Sequence, residues 1–163
     1  MPMKKILLAL VLMPIAAHAQ QGLFETRSMT PETALVAARA ALEHCRKAGY
    51  QVAVAVVDRS GLPQVMLRDR FATAHTVRVS IDKAWTAASF KIPTSALAKE
   101  TQAGMPMSGL RSQPRVLAIG GALPIESRGS LVGAIGVSGA PGGEAADACA
   151  AAGIKANAES IEF

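Results

Sequence analysis

Apolar positions along this chain fall into two rhythms, one of helices and one of short strands. Thr30-Pro31-Glu32 offers an N-cap, a proline at the first helical position and an acid in the first turn. Behind it Ala34, Leu35, Ala38, Ala41, Leu42 and Cys45 recur at helical spacing, and Gly49 closes the helix. Gln51 to Val57 is too short and too rich in valine for a helix, and it predicts a buried strand. Asp58-Arg59-Ser60-Gly61 supplies a turn, and Val65 to Arg68 returns as the second strand of a hairpin. Ala74 to Phe90 is helical again. Val77, Ile81, Ala84, Trp85 and Ala88 predict its apolar face, with His75, Val79, Asp82 and Thr86 on the opposite arc, flanked by Lys83. A shorter helix runs from Thr94 to near Gly104.

Met105 to Pro114 then reads as a loop, and Val116 to Ile125 as a strand pair or a bent strand broken at Gly120-Gly121. Glu126 to Gly129 turns the chain into a last strand, Leu131 to Val137. Gly133 and Gly136 inside that strand mark the close approach of a ligand or another backbone. Ala145, Ala148, Cys149 and Ala152 give a final helix, stopped at Gly153. Hairpins dominate over βαβ units, so the pattern predicts an α+β fold with a largely antiparallel sheet and helices packed on it.

The first residues follow a different logic. Lys4 and Lys5 precede an apolar run from Ile6 to Ala17, and Ala17-His18-Ala19 is a small-x-small cleavage pattern. The run falls short of the roughly 20 residues of a spanning helix. Residues 1–19 therefore predict a cleaved signal peptide and a periplasmic or secreted product with no membrane span. Residues 20–29 predict a mobile arm and 30–163 a single domain. Half of the residues are apolar but only 4% are aromatic, so the core is built from Ala, Val, Leu and Ile. Without Lys4 and Lys5 the formal charge falls from +5 to +3, and the remaining basic residues are scattered. They lack the interleaved aromatics of a nucleic-acid surface. Cys45 and Cys149 can close a disulfide in an oxidising compartment. Each also sits on the apolar stripe of its own helix, and two packed thiols are the favoured reading.

Generic catalytic motifs are absent: no HExxH, CxxC or P-loop occurs, and Ser138 lacks the nucleophile-elbow spacing. Gly139-Ala140-Pro141-Gly142-Gly143-Glu144 precedes a helix, where free amides can receive an anion, although a plain glycine turn also explains it. His44 lies among Glu43, Arg46 and Lys47 and reads as a surface residue. His75, at the start of its helix and off the apolar face, has the chemistry of an iron ligand or a proton carrier, and equally of a surface polar residue.

Four blocks occur in one order: Ala53-Val54-Ala55-Val56-Val57-Asp58-Arg59-Ser60-Gly61, Asp82-Lys83-Ala84-Trp85-Thr86-Ala87-Ala88, Gly120-Gly121-Ala122-Leu123-Pro124-Ile125 and Val132-Gly133-Ala134-Ile135-Gly136-Val137-Ser138-Gly139-Ala140. Over about residues 30–155 the chain resembles the GlcG/HbpS family of haem-degrading domains, which includes the C-terminal domain of PduO-type corrinoid adenosyltransferases. The resemblance implies a five-stranded antiparallel sheet flanked by helices, profilin-like in outline. It also implies homo-oligomers, from dimers up to octamers, and haem as the cofactor. Where the family often has Arg-Met-Asp-Gly-Ala after the second strand, this chain has Arg68-Asp69-Arg70-Phe71-Ala72.

On that footing the leading expectation is an exported haem-binding protein of iron handling or sensing. His75 would be the metal ligand, Met105 or Met107 a weaker one, and Arg68, Lys83 or Arg111 the propionate partners. Asp82, Gly120, Gly121 and Ser138 would complete the pocket. A second expectation is a binder of, or enzyme for, a small carboxylate metabolite using His75, Asp82 and Lys83. A third is an oligomeric accessory protein whose glycine-bearing strands serve subunit packing.

Overall fold

The computed structural model describes residues 22–161, so the signal-peptide reading of residues 1–19 and the start of the arm lie outside the described residues. The elements run α1 (Pro31–Lys47), β1 (Ala53–Asp58), β2 (Pro63–Arg68), α2 (Ala74–Phe90), α3 (Thr94–Glu100), a 3-10 turn (Ser108–Ser112), β3 (Ala122–Ser127), β4 (Ser130–Ser138), α4 (Gly143–Ala156) and α5 (Ala158–Ile161). The sheet has four antiparallel strands in the order β2-β1-β4-β3. β1 lies inside it, which is why its valines are buried on both faces.

Two helical layers cover the sheet. α1 and α4 pack on one face, where Val54, Val56, Ile125, Ile135 and Val137 join Ala38, Ala41, Cys45 and Ala150 in the main core. α2 covers the other face over a smaller cluster of Val57, Ala84, Ala87, Ala88, Ala122 and Ala134. Thr30 caps α1 as its sequence predicts, accepting from the Thr33 amide at 3.3 Å.

The structure corrects several expectations. Among the described residues the sheet has four strands rather than five. The segment before Gly121 is not a strand, because its backbone is bonded elsewhere. The Leu117 amide donates to Thr86 Oγ1 at 3.0 Å, and the Gly121 amide donates to Asp147 Oδ1 at 2.6 Å. Nor is Val77-Ile81-Trp85 the buried face of α2; those three are half-buried. Thr76, Ser80, Lys83, Ala84 and Ala87 face the sheet instead. The cause is Gly136, whose place for a Cβ is already occupied by the Ser80 carbonyl oxygen and lies 2.8 Å from the Ala84 nitrogen. Only small residues fit so close a crossing. The hydroxyls buried there donate to their own helix turn, Thr76 to the Thr73 carbonyl at 2.6 Å and Ser80 to that of Val77 at 2.9 Å.

Gly153 does not end its helix, α4, which continues to Ala156 and is followed by the short α5. A Cβ at Gly153 would lie 2.6 Å from the Ala37 carbonyl oxygen, so this glycine lets α4 lie directly on α1. Across the same contact Cys45 and Cys149 form a disulfide with their Cα atoms 5.6 Å apart, and the reading of two separate packed thiols is corrected. The apolar stripe that suggested packing is the surface that brings both sulfurs together.

Candidate functional site

An open cavity of about 750 Å³ lies where the end of β4, the start of α2 and the start of α4 converge. Its long wall is α2. His75, Val79 and Lys83 are spaced by four residues, which places them on one helical face, and all three line the cavity. Eight residues of helix separate His75 from Lys83 by about 12 Å along the axis. The wall thus offers an imidazole, an apolar step and an ammonium in succession. The other walls come from Tyr50 and Gln51 after α1, Phe71 and Thr73 before α2, Ile119 and Gly120, and the Ser138–Gly143 turn.

Lys83 is the most constrained of these groups. It is 6% exposed, and its Nζ donates to the Gly120 carbonyl at 2.7 Å and the Val137 carbonyl at 3.1 Å. Burial pushes its pKa down from the usual lysine range, and the charge of Asp147 opposes that shift. Two carbonyls occupy two of its three donors. Gly121, at φ 123°, makes the arrangement possible, since a Cβ there would lie 2.7 Å from Nζ.

His75 is exposed at the mouth. Its Nδ1 lies 3.1 Å from Thr73 Oγ1, and among the described residues Nε2 has no partner. A side-chain hydrogen bond at one ring nitrogen that leaves the other open is how a ligating imidazole is oriented. The turn opposite is shaped by Gly139, where a Cβ would lie 2.5 Å from the Gln51 carbonyl oxygen, and by Gly142 at φ 135°. Gly142 is the N-cap of α4 and brings no side-chain cap.

Of the residues expected at the site, His75, Lys83, Gly120 and Ser138 line one cavity. Arg68, Asp82 and Gly121 are not part of its lining. Arg68 donates to the Ala72 carbonyl, and Asp82 pairs with Arg78 at 2.5 Å and Arg115 at 3.4 Å on another side of α2. Gly121 stands behind Lys83. Met105 and Met107 lie outside the lining, and Arg111 is spent on the Thr101 and Ala98 carbonyls at the end of α3. Tyr50, Phe71, Thr73 and Ile119 were not legible as site residues. The one available signal was Thr73, a hydroxyl two residues before the only histidine at a helix start. Among the described residues no cluster of His, Cys, Asp and Glu suits a bare metal ion, and no helix is long and apolar enough to cross a membrane.

The antiparallel sheet, helix-covered on both faces and with a glycine-walled cavity at one end, defines a domain of α+β class. Residues 29–155 match the family model described as haem-degrading protein HbpS-like, and the chain belongs to this HbpS-like family. A double mutant of Streptomyces reticuli HbpS is 38% identical, with 89% of this chain and 97% of that chain covered and a TM-score of 0.78. PduOC, in a crystal structure of its complex with haem, is 30% identical, covers 79% of this chain and 94% of its own, and has a TM-score of 0.75. An uncharacterized 15.0 kDa protein of Citrobacter freundii is 34% identical over 90 residues, 54% of this chain. That match spans 63% of the Citrobacter protein's length.

Proposed function

We propose that this chain is a haem-binding protein for haem or iron handling, with His75 as the iron ligand. The observation that carries the reading is the α2 wall, where His75, Val79 and Lys83 stand one turn apart along the cavity. His75, with one ring nitrogen bonded to Thr73 and the other free among the described residues, would supply a single protein ligand to haem iron. The volume lies within the usual range for small-molecule and cofactor pockets. Tyr50, Phe71, Val79 and Ile119 supply apolar surface for a flat ring. The family description and the PduOC–haem complex support the same ligand class. Bound haem would supply the chemistry of its iron; His75 would ligate that iron, and Tyr50, Phe71, Val79 and Ile119 would hold the ring.

Titration of the purified protein with haemin, followed in the Soret band, tests this reading. Saturation near one haemin per chain is the expected result. Weak, non-saturating absorbance would overturn it in favour of the second reading, a binder of or enzyme for a small carboxylate. Lys83, a buried ammonium lining the cavity, supports that alternative.

The proposal includes export and self-association. Export rests on the leader-like residues 1–19 and is supported by the Cys45–Cys149 bridge, since disulfides persist in oxidising compartments. Self-association is supported by the half-buried Val77-Ile81-Trp85 stripe and by exposed Leu62, which follows Gly61, the residue packed against the Trp85 ring. N-terminal sequencing of the product and light scattering test the two.

A further inference from the structure

The ammonium of Lys83 is buried without a counter-ion. Among the described residues no carboxylate reaches ion-pair distance of it. Asp147, the acid whose charge it feels, has its Oδ1 engaged by the Gly121 amide at 2.6 Å. The Gly120 and Val137 carbonyls satisfy two protons but neutralise no charge. A buried charge left unneutralised is costly; Lys83 lines the cavity, and among the described residues its third donor has no partner.

A second source of positive potential adjoins it. α4 is 14 residues long, and its opening amides at Gly143, Glu144 and Ala145 precede the first residue that can bond within the helix. No side chain caps them. Gly142 and Gly143 line the same cavity. The two features meet through Gly120. Its carbonyl holds Lys83, and a Cβ on it would lie 2.9 Å from the Gly143 Cα. Glu144, the acid of that turn, is exposed, where solvent screens its charge.

We infer that Lys83 and the uncapped start of α4 form a carboxylate subsite, which takes an acidic group of the ligand at the opposite end of the cavity from His75. The subsite deepens the haem reading, on which its pairing with His75 rests. One fixed cation beside neutral amide donors matches a monoanion: one oxygen accepts from Nζ and the other from a helix amide. The ligand class is therefore a planar apolar body that carries a carboxylate. Haem has this form, with its propionates.

Two titrations test the subsite. In the first, haemin and haemin dimethyl ester are compared by Soret absorbance. The ester is expected to bind about tenfold more weakly to the wild type, and Lys83→Met to remove the difference. In the second, sodium acetate is added without haem at constant ionic strength while amide NMR signals are followed. The Gly143 and Glu144 resonances are expected to shift saturably in the wild type and not in Lys83→Met. The ester comparison on the wild type needs no variant, so misfolding of Lys83→Met leaves it decisive. Equal affinity for acid and ester together with no acetate response overturns the subsite. An acetate response without haemin binding supports the subsite and sinks the haem reading.

Discussion

Arg46 and Asp69 meet in a two-pronged ion pair, Nε to Oδ2 at 2.7 Å and Nη2 to Oδ1 at 3.0 Å, between the end of α1 and the segment that leads into α2. Asp69 is 1% exposed and also accepts from the Arg70 amide at 2.8 Å. Its own amide donates to the Val52 carbonyl, and its carbonyl accepts from the Ala72 amide. This residue fixes the course of the chain that carries Phe71, Thr73 and His75. Asp69→Asn is expected to lower unfolding stability by roughly 1–2 kcal/mol, discounted for the half-exposed Arg46. It should also weaken haemin binding, and chemical denaturation beside a Soret titration checks both.

The same pair has a pH signature. The hydrogen bond from Arg46 holds the Asp69 carboxyl below its usual range, against the opposing effect of burial. A carboxylate depressed in the folded state contributes stability above its unfolded value, about 3.9. That contribution is lost as pH falls through the folded value. Acid denaturation of the wild type should therefore include a loss of stability below about pH 4 that Asp69→Asn lacks. Superimposable stability–pH curves for the two proteins would contradict this assignment.

Cys45 and Cys149 close a loop across 104 positions of the chain. Replacing both by alanine is expected to cost about 2–5 kcal/mol, near the upper end if the fold relaxes little. Since α4 carries Gly142 and Gly143 at its start, the double variant should also bind haemin less tightly. Both effects are read from denaturant midpoints and Soret titrations with and without reductant.

Gly136 is the point where α2 touches the sheet. Gly136→Ala places a methyl group against the Ser80 carbonyl and the Ala84 nitrogen, so α2 must lift. A destabilisation of about 3 kcal/mol is expected. Gly22→Ala, where a Cβ meets nothing, serves as the control and should leave the denaturant midpoint unchanged.

Elements governed by local chemistry were legible in the sequence. Thr30-Pro31-Glu32 started α1 where the cap, ring and first-turn acid said it should. α2 spans Ala74–Phe90 as its periodicity predicts. Features governed by distant partners were not legible. The buried face of α2 follows from Gly136, more than fifty residues away on β4, so the larger side chains gave the wrong face. The missing fifth strand follows from Thr86 and Asp147 competing for backbone amides. Gly153 read as a stop because nothing local reveals that α1 lies against it. At the site, His75 was readable from its place at the start of α2 off the apolar stripe and Lys83 through the family resemblance, whereas the clamp at Asp69 depends on Arg46, twenty-three residues earlier.

The central claim is that His75 ligates haem iron along the α2 wall, and the ferric Soret spectrum of the wild type beside His75→Ala tests it most directly. Because His75 is exposed, the variant should keep the wild-type fold by circular dichroism. It should lose the Soret shift or move it, with affinity reduced about tenfold or more. A folded variant with the wild-type spectrum and the wild-type affinity would contradict the claim.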